Sequence, residues 1–274
     1  MQNETIAIHA GYNKKEGYGT MSVPISQTTA YAFRDSEHAA NLFALKELGP
    51  IYTRLNNPTT DVLEQRFAAL EGGAAAICTS SGQAASFYAI ANVAEAGDNI
   101  LISDKLYGGS VTLLTYTMKR FGITAKVFKS DDASDLESLI DDKTKAIYFE
   151  SLSNPQIAIP DVEKIATIGK KHGVLTICDN TVASAALFNP IKWGIDVVVH
   201  STSKYTNGQG TAIGGIVVER DGLAEFFKAN SNRYSHFTTP DESYHGLVYT
   251  DVPLPNFCLR IRLSLLRDIG AVPA

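Results

Sequence analysis

DVEKIATIGKKHGVLTICDN, residues Asp161–Asn180, joins a helical pattern to a short apolar run and ends in Asp179-Asn180. Asp161 to Lys171 has apolar residues at helical spacing, whereas Val174 to Cys178 is apolar but for Thr176 and too short for a helix. A strand with no polar face belongs in a sheet covered on both sides. Working outward, similar runs occur at Ala74–Thr79, Ile100–Ser103, Ala125–Phe128, Ala146–Phe149, Val197–His200 and Gly214–Val218. Helical patterns at Gln83–Ala94, Ser110–Phe121 and Ser134–Ile140 lie between many of them. Strands of this kind separated by helices predict an α/β fold in three layers, its sheet mostly parallel and about seven-stranded.

Upstream, Thr59 to Leu70 reads as a helix with Val62, Leu63, Phe67 and Leu70 on one face and Gly72-Gly73 as its stop. The residues before Pro58 carry no sustained period and many turn formers, which predicts an arm over 1–57 and a large domain over 58–255. After the Pro-rich Asp251–Pro255, Asn256 to Arg267 is helix-like, so 256–274 is expected to begin a connecting helix. A chain of 274 residues, 45% hydrophobic and 19% charged, can bury a sizeable core. Its net charge of −5 argues against a nucleic-acid partner, whose backbone recruits basic patches. No apolar run approaches the roughly 20 residues that span a bilayer, and Met1–Thr5 lacks the layout of a signal peptide. Cys78, Cys178 and Cys258 are far apart and lack metal-ligand spacing, so reduced thiols in a cytoplasmic protein, with no metal site, are expected.

Four features bear on chemistry. Thr79-Ser80-Ser81-Gly82-Gln83 ends a strand and opens a helix, where free N–H groups bind anions and glycine admits a phosphate closely. The plainer account is an N-cap by Ser80 or Ser81. Asp179 stands at the carboxyl end of a strand, where open α/β sheets bind ligands, and a carboxylate there can pair with a cationic ring nitrogen. Taken alone, it fits a turn cap with Asn180 better. Lys204 follows Val197–His200, flanked by the hydroxyls of Ser201 and Ser203 and by Asn207-Gly208-Gln209-Gly210. A lysine in a dry pocket or near other cations loses its proton readily and attacks carbonyls, although most lysines are solvated. Ser201-x-x-Lys204 also matches the serine β-lactamases and penicillin-binding proteins, whose companion motifs are absent. The Gly-rich run has the wrong spacing for a dinucleotide fingerprint. Tyr107, before Gly108-Gly109, can stack on a flat heterocycle or simply pack. Together the four supply an anion cradle, a stacking ring, a carboxylate and an amine nucleophile. That combination suits a phosphorylated pyridinium aldehyde, pyridoxal 5'-phosphate.

At these residues the chain resembles the Cys/Met-metabolism family of fold-type-I pyridoxal-phosphate enzymes. The segments concerned are Thr5–Tyr12, Pro24–Thr29, Tyr52–Thr59, Ser80–Ala85, Glu150–Pro155, Asp179-Asn180-Thr181, Ser201–Lys204 and Pro240–Leu247. Tyr244-His245-Gly246-Leu247 and the insertion around Leu42–Pro50 resemble the sulfhydrylases of O-acetylhomoserine more than cystathionine γ-synthases or lyases. The resemblance implies the large domain of the aspartate aminotransferase fold type I. It implies that Lys204 holds the cofactor as a Schiff base and shuttles protons, that Asp179 pairs with the pyridinium nitrogen, and that Tyr107 stacks on the ring. Ser81, Gly82, Gln83, Ser201 and Ser203 would hold the phosphate, Asn154 would sit near the ring hydroxyl, and Thr181 beside the ring. Tyr52 and Arg54 would reach the phosphate of a neighbouring subunit, in a homotetramer built from dimers. The implied reaction makes homocysteine and acetate from O-acetyl-L-homoserine and sulfide, or a thiol, in methionine biosynthesis.

Departures from the family pattern and rival readings follow from the same residues. Family members continue through a further domain that supplies an arginine for the substrate carboxylate. The resemblance therefore implies that these 274 residues are part of a longer protein and bind cofactor without full turnover. Arg260, Arg262 and Arg267 are not expected to replace that arginine, and Gln209 stands where relatives often carry histidine. The rivals are a cystathionine γ-synthase or methionine γ-lyase, a serine acyltransferase using Ser201 and Lys204, and a non-catalytic cofactor-binding chain.

Overall fold

The computed structural model describes residues 2–15, 19–44 and 46–235. Its elements in order are α1 (Asn3–His9), α2 (Ser36–Phe43), α3 (Pro58–Glu71), β1 (Ala75–Thr79), α4 (Gly82–Ala91), β2 (Asn99–Ser103), α5 (Gly108–Thr112), β3 (Thr124–Phe128), α6 (Leu136–Leu139), β4 (Thr144–Glu150), α7 (Val162–His172), β5 (Leu175–Asp179), α8 (Ser184–Leu187), β6 (Val197–His200), β7 (Gly215–Glu219) and α9 (Leu223–Ala229). The strands form one seven-stranded sheet in the order β1-β7-β6-β5-β4-β2-β3. β3, β2, β4, β5 and β6 run parallel, and β7 is antiparallel to both of its neighbours, β1 and β6. The expected mostly parallel α/β sheet is thus present, each strand within two residues of its expected bounds.

Burial explains why these runs are strands. Ile100, Ile102, Tyr148, Ile177 and Val199 point to one face and pack with Ala85, Ala89 and Ile90 of α4. Leu101, Ile147, Phe149 and Cys178 point to the other and pack with Ile165 and Ala166 of α7. Each fully buried large apolar side chain contributes about 1.5–3 kcal/mol, and only a sheet covered twice buries consecutive residues of one strand. Helix α7 begins where the Asp161 carboxylate accepts from Lys164 N at 3.0 Å. It ends with Lys170, Lys171 and His172 in its last turn, which suits the negative end of the helix dipole.

Elsewhere the structure differs from the sequence reading. The arm contains α1 and α2, the latter capped by Asp35, whose carboxylate accepts from His38 N at 2.7 Å. The stretch from Gly108 to Phe121 is an α turn, a π turn and a 3-10 turn in succession, not one helix. Helices α8 and α9 were not expected. Helix α3 extends one residue beyond its expected bounds at each end but buries a different face, Glu64, Phe67, Ala68 and Glu71, while Leu63 is exposed. Two carboxylates can turn inward because each finds donors there. Glu64 Oε1 accepts from Cys78 N at 2.8 Å. Glu71 Oε1 accepts from His200 Nε2 at 2.6 Å and Asn180 Nδ2 at 3.0 Å. The segments Pro240–Leu247, Asp251–Pro255 and Asn256–Arg267, with Cys258, lie outside the described residues.

Removing the Glu71 carboxylate strands buried donors on His200 and Asn180. Glu71→Ala is expected to destabilise the chain by about 2–6 kcal/mol, about 1–3 for each of the two buried donors left without an acceptor. Urea unfolding of the variant against wild type measures it, and a loss below about 1 kcal/mol contradicts the assignment.

Candidate functional site at the carboxyl rim of the sheet

Parallel strands all end on one side, and that rim gathers residues far apart in sequence. Thr79 ends β1 and pairs in register with Gly215, which begins β7. Ser201 follows β6, Asp179 ends β5, Glu150 ends β4, and the loop to Tyr107 follows β2. Sheet order therefore sets Ser81 and Gly82, then Ser201 and Lys204, then Asp179 and Thr181, then Glu150 and Asn154 along one edge.

At the first corner Ser81 caps α4, its Oγ accepting from Ala84 N at 3.1 Å. The cap and the anion-binding readings are therefore compatible, since the other early N–H groups remain available. Gly82 lies so close to β6 that a β-carbon there would stand 2.6 Å from Ser201 Cβ. A β-carbon on Gly109 would meet Tyr107 Cε1 at 2.5 Å and Gln83 Nε2 at 2.9 Å. The Gln83 amide and the Tyr107 ring thus adjoin the same backbone, and that ring is half exposed.

A hydrogen-bond chain crosses the centre of the rim. Asp179 Oδ1 accepts from Thr181 N at 2.9 Å and Thr181 Oγ1 at 2.5 Å. Thr181 Oγ1 in turn accepts from Ser201 N at 2.8 Å. Asp179 Oδ2 has a longer contact, 3.4 Å, from the Tyr148 hydroxyl, which also meets Ser86 Oγ at 2.9 Å. Lys204 lies in the turn after β6, where Lys204 N donates to Ser201 O at 3.2 Å, and it is exposed. The Ser203 hydroxyl is taken up by the Gly214 backbone, donating to its carbonyl at 3.2 Å and accepting from its N–H at 3.0 Å. Tyr52 and Arg54 stand apart: Tyr52 bridges to Ala30 and the Arg54 guanidinium sits 5.6 Å over its ring. Among the described residues neither hydrogen-bonds to the rim.

Sequence reasoning gave no role to Glu150, although it heads a quoted motif. It is buried and sits beside Asp179 in register. Its Oε1 accepts from Tyr107 N at 2.7 Å and its Oε2 from Asn154 N at 3.0 Å. Burial first, then the charge of Asp179, pushes its carboxyl up to about 7. Burial likewise pushes the Cys178 thiol up, which leaves no thiolate there for catalysis. Among the described residues no three His, Cys, Asp or Glu side chains could hold a metal ion. No helix among them is long and apolar enough to cross a membrane.

Donors for an anion, an amine and a tethered carboxylate at strand ends define an α/β protein with its site at the sheet's carboxyl rim. The model of the Cys/Met metabolism PLP-dependent enzymes matches residues 4–247, and the chain belongs to that family. A sulfhydrylase of Fusarium oxysporum f. sp. lycopersici is 49% identical over 98% of this chain and 62% of its own length. The O-acetyl-L-homoserine sulfhydrylase of Leptospira meyeri is 45% identical over 97% and 62% respectively. The chain thus spans 62% of the length of these curated relatives. A crystal structure assigned as an O-acetylhomoserine (thiol)-lyase of Campylobacter jejuni carries N'-pyridoxyl-lysine-5'-monophosphate. It superposes with a TM-score of 0.94 at 54% identity, over 99% of this chain and 66% of that one.

The raised Glu150 carboxyl makes stability depend on pH. Its ordinary value is 4.5 and its folded value about 7, so the folded chain holds a proton that the unfolded chain has released. The stabilisation is complete below 4.5 and is lost as pH rises through about 7, up to about 3 kcal/mol in all. Wild-type stability measured by urea unfolding should therefore decline relative to Glu150→Gln between pH 5 and 8. A flat difference would contradict the assignment.

Proposed function

We propose that this chain holds pyridoxal 5'-phosphate on Lys204 and that the protein performs γ-replacement. It would convert O-acetyl-L-homoserine and sulfide, or a thiol, to homocysteine and acetate in methionine biosynthesis. The observation that carries the reading is the chain Asp179–Thr181–Ser201 beside the start of α4, which fixes a carboxylate, a helix N-terminus and Lys204 on one rim. These residues fit the cofactor. The close approach of Gly82 to Ser201 leaves backbone N–H groups unscreened for a phosphate, and Asp179 Oδ2 keeps lone pairs for a cationic ring N–H.

When bound, the cofactor supplies an electron sink for negative charge at substrate carbon. The chain's residues do the rest. Lys204 Nζ would hold the cofactor and, as a free amine, would take the proton from the substrate Cα and carry it between substrate carbons. Asp179 keeps the ring nitrogen protonated, and Thr181 holds that carboxylate in place. Gly82, Gln83, Ser81, Ser201 and Ser203 would hold the phosphate, Tyr107 would cover one ring face, and Asn154 would lie near the ring hydroxyl. For Ser203 this requires its hydroxyl to leave the Gly214 carbonyl.

Within residues 1–57, Tyr52 and Arg54 extend to the phosphate site of a second copy, in dimers that pair as a homotetramer. The exposed apolar side chains of Ile8, Met21 and Ile25 in this arm support that role. The names of the relatives favour the sulfhydrylase reading over a lyase or an acyltransferase.

Borohydride reduction of the protein incubated with pyridoxal phosphate, followed by peptide mapping, should place the pyridoxyl group on Lys204. Lys204→Ala should lose both the adduct and the visible absorption band. An adduct elsewhere, or none at saturating cofactor, would sink the proposal.

A further inference from the structure

Glu150 does more than terminate β4. Its two carboxylate oxygens are each engaged by a backbone N–H from a different part of the rim, Tyr107 at 2.7 Å and Asn154 at 3.0 Å. One side chain thereby ties the loop after β2 to the loop after β4. Tyr107 is also the residue before α5, so its N–H anchors the backbone from which the half-exposed ring projects. Resting on the cofactor reading above, we propose that Glu150 is a positioning residue, setting the Tyr107 ring and Asn154 at the cofactor while touching neither cofactor nor substrate itself.

The choice of side chain supports this. Glutamine has the same volume and would spare the chain a buried carboxylate next to Asp179. It offers one acceptor oxygen, however, and turns an NH2 toward one of the two N–H groups. An ionised carboxylate alone accepts from both, and charge-assisted bonds of this kind are the strong ones. The proton affinity that burial and Asp179 impose is the cost of that arrangement, and above about pH 7 the carboxylate is mostly ionised.

The test compares wild type, Glu150→Gln and Glu150→Asp at pH 8. In the cofactor-free chain, hydrogen exchange at the Tyr107 and Asn154 amides should quicken about tenfold in Glu150→Gln. With pyridoxal phosphate added, its dissociation constant should rise about tenfold and the visible circular dichroism of the bound ring should weaken. Glu150→Asp keeps two acceptor oxygens on a shorter stem and should recover part of both effects. It also serves as the informative variant if Glu150→Gln does not fold. A fall in melting temperature with unchanged cofactor affinity and dichroism marks a structural role and overturns the inference, as does unchanged exchange at both amides. Failure of wild type to take up the cofactor on Lys204 sinks the functional proposal instead, and the exchange measurement still decides whether Glu150 fixes the two loops.

Discussion

The Glu71 carboxylate at the end of α3 lies wholly inside the protein, against His200 Nε2 at 2.6 Å and Asn180 Nδ2 at 3.0 Å. His200 directly precedes Ser201, and Asn180 directly follows Asp179, so one buried group sets the heights at which β5 and β6 release their chains to the rim. Asn180 Oδ1 also accepts from Ser151 Oγ at 2.7 Å, which brings the loop after β4 into the same network. Phe67, one turn earlier on α3, packs in a T-shaped arrangement with the His200 ring, centroids 4.9 Å apart. A buried carboxylate is tolerable only when its donors are present, and a network satisfied throughout is rigid for the same reason. The rim's geometry therefore depends on a helix that contributes no residue to the site.

Sheet order does the remaining gathering. Five strands run parallel, so their carboxyl ends meet on one side although they span residues 99–200. The antiparallel β7 has a distinct use. It enters the sheet between β1 and β6, which lets the Gly214 backbone engage Ser203 and sets the start of β7 beside Thr79. The loop that opens α4 and the turn that carries Lys204 are thus held from the same short segment. Had β7 run parallel, its carboxyl end would occupy that position and the two loops would lack a common support.

How much of this was legible follows from which forces are local. The central strands were readable because burial on both faces leaves them mostly apolar, a property of the run itself. The buried face of α3 was not, because a sequence pattern scores Glu64 and Glu71 as solvent-facing. Their partners Cys78 and His200 lie 14 and 129 residues away. Tyr107, Asp179, Ser201 and Lys204 were readable as candidates because each sits just past an apolar strand, and strand ends form the crevice of such sheets. Glu150 passed unnoticed for the opposite reason: its donors are backbone N–H groups, which leave no trace in residue identity, and one of them is 43 residues upstream. Tyr52 and Arg54 were marked by resemblance alone, and nothing within one chain draws them to the rim.

Glu150 and Asp179 end adjacent strands in register, and hydrogen bonding gives them different uses. Glu150 has a backbone N–H on each oxygen, so its charge is consumed in holding the chain. Asp179 has both close donors, from Thr181, on Oδ1, while Oδ2 meets only the longer 3.4 Å contact from Tyr148 among the described residues. A cation arriving at the rim can therefore meet an Asp179 oxygen that holds no backbone N–H, whereas at Glu150 it would share either oxygen with the N–H of Tyr107 or Asn154. Two neighbouring carboxylates would otherwise compete for the same ligand nitrogen. The donors built around them leave Asp179, the one tied through Thr181 to Ser201, the more open of the two.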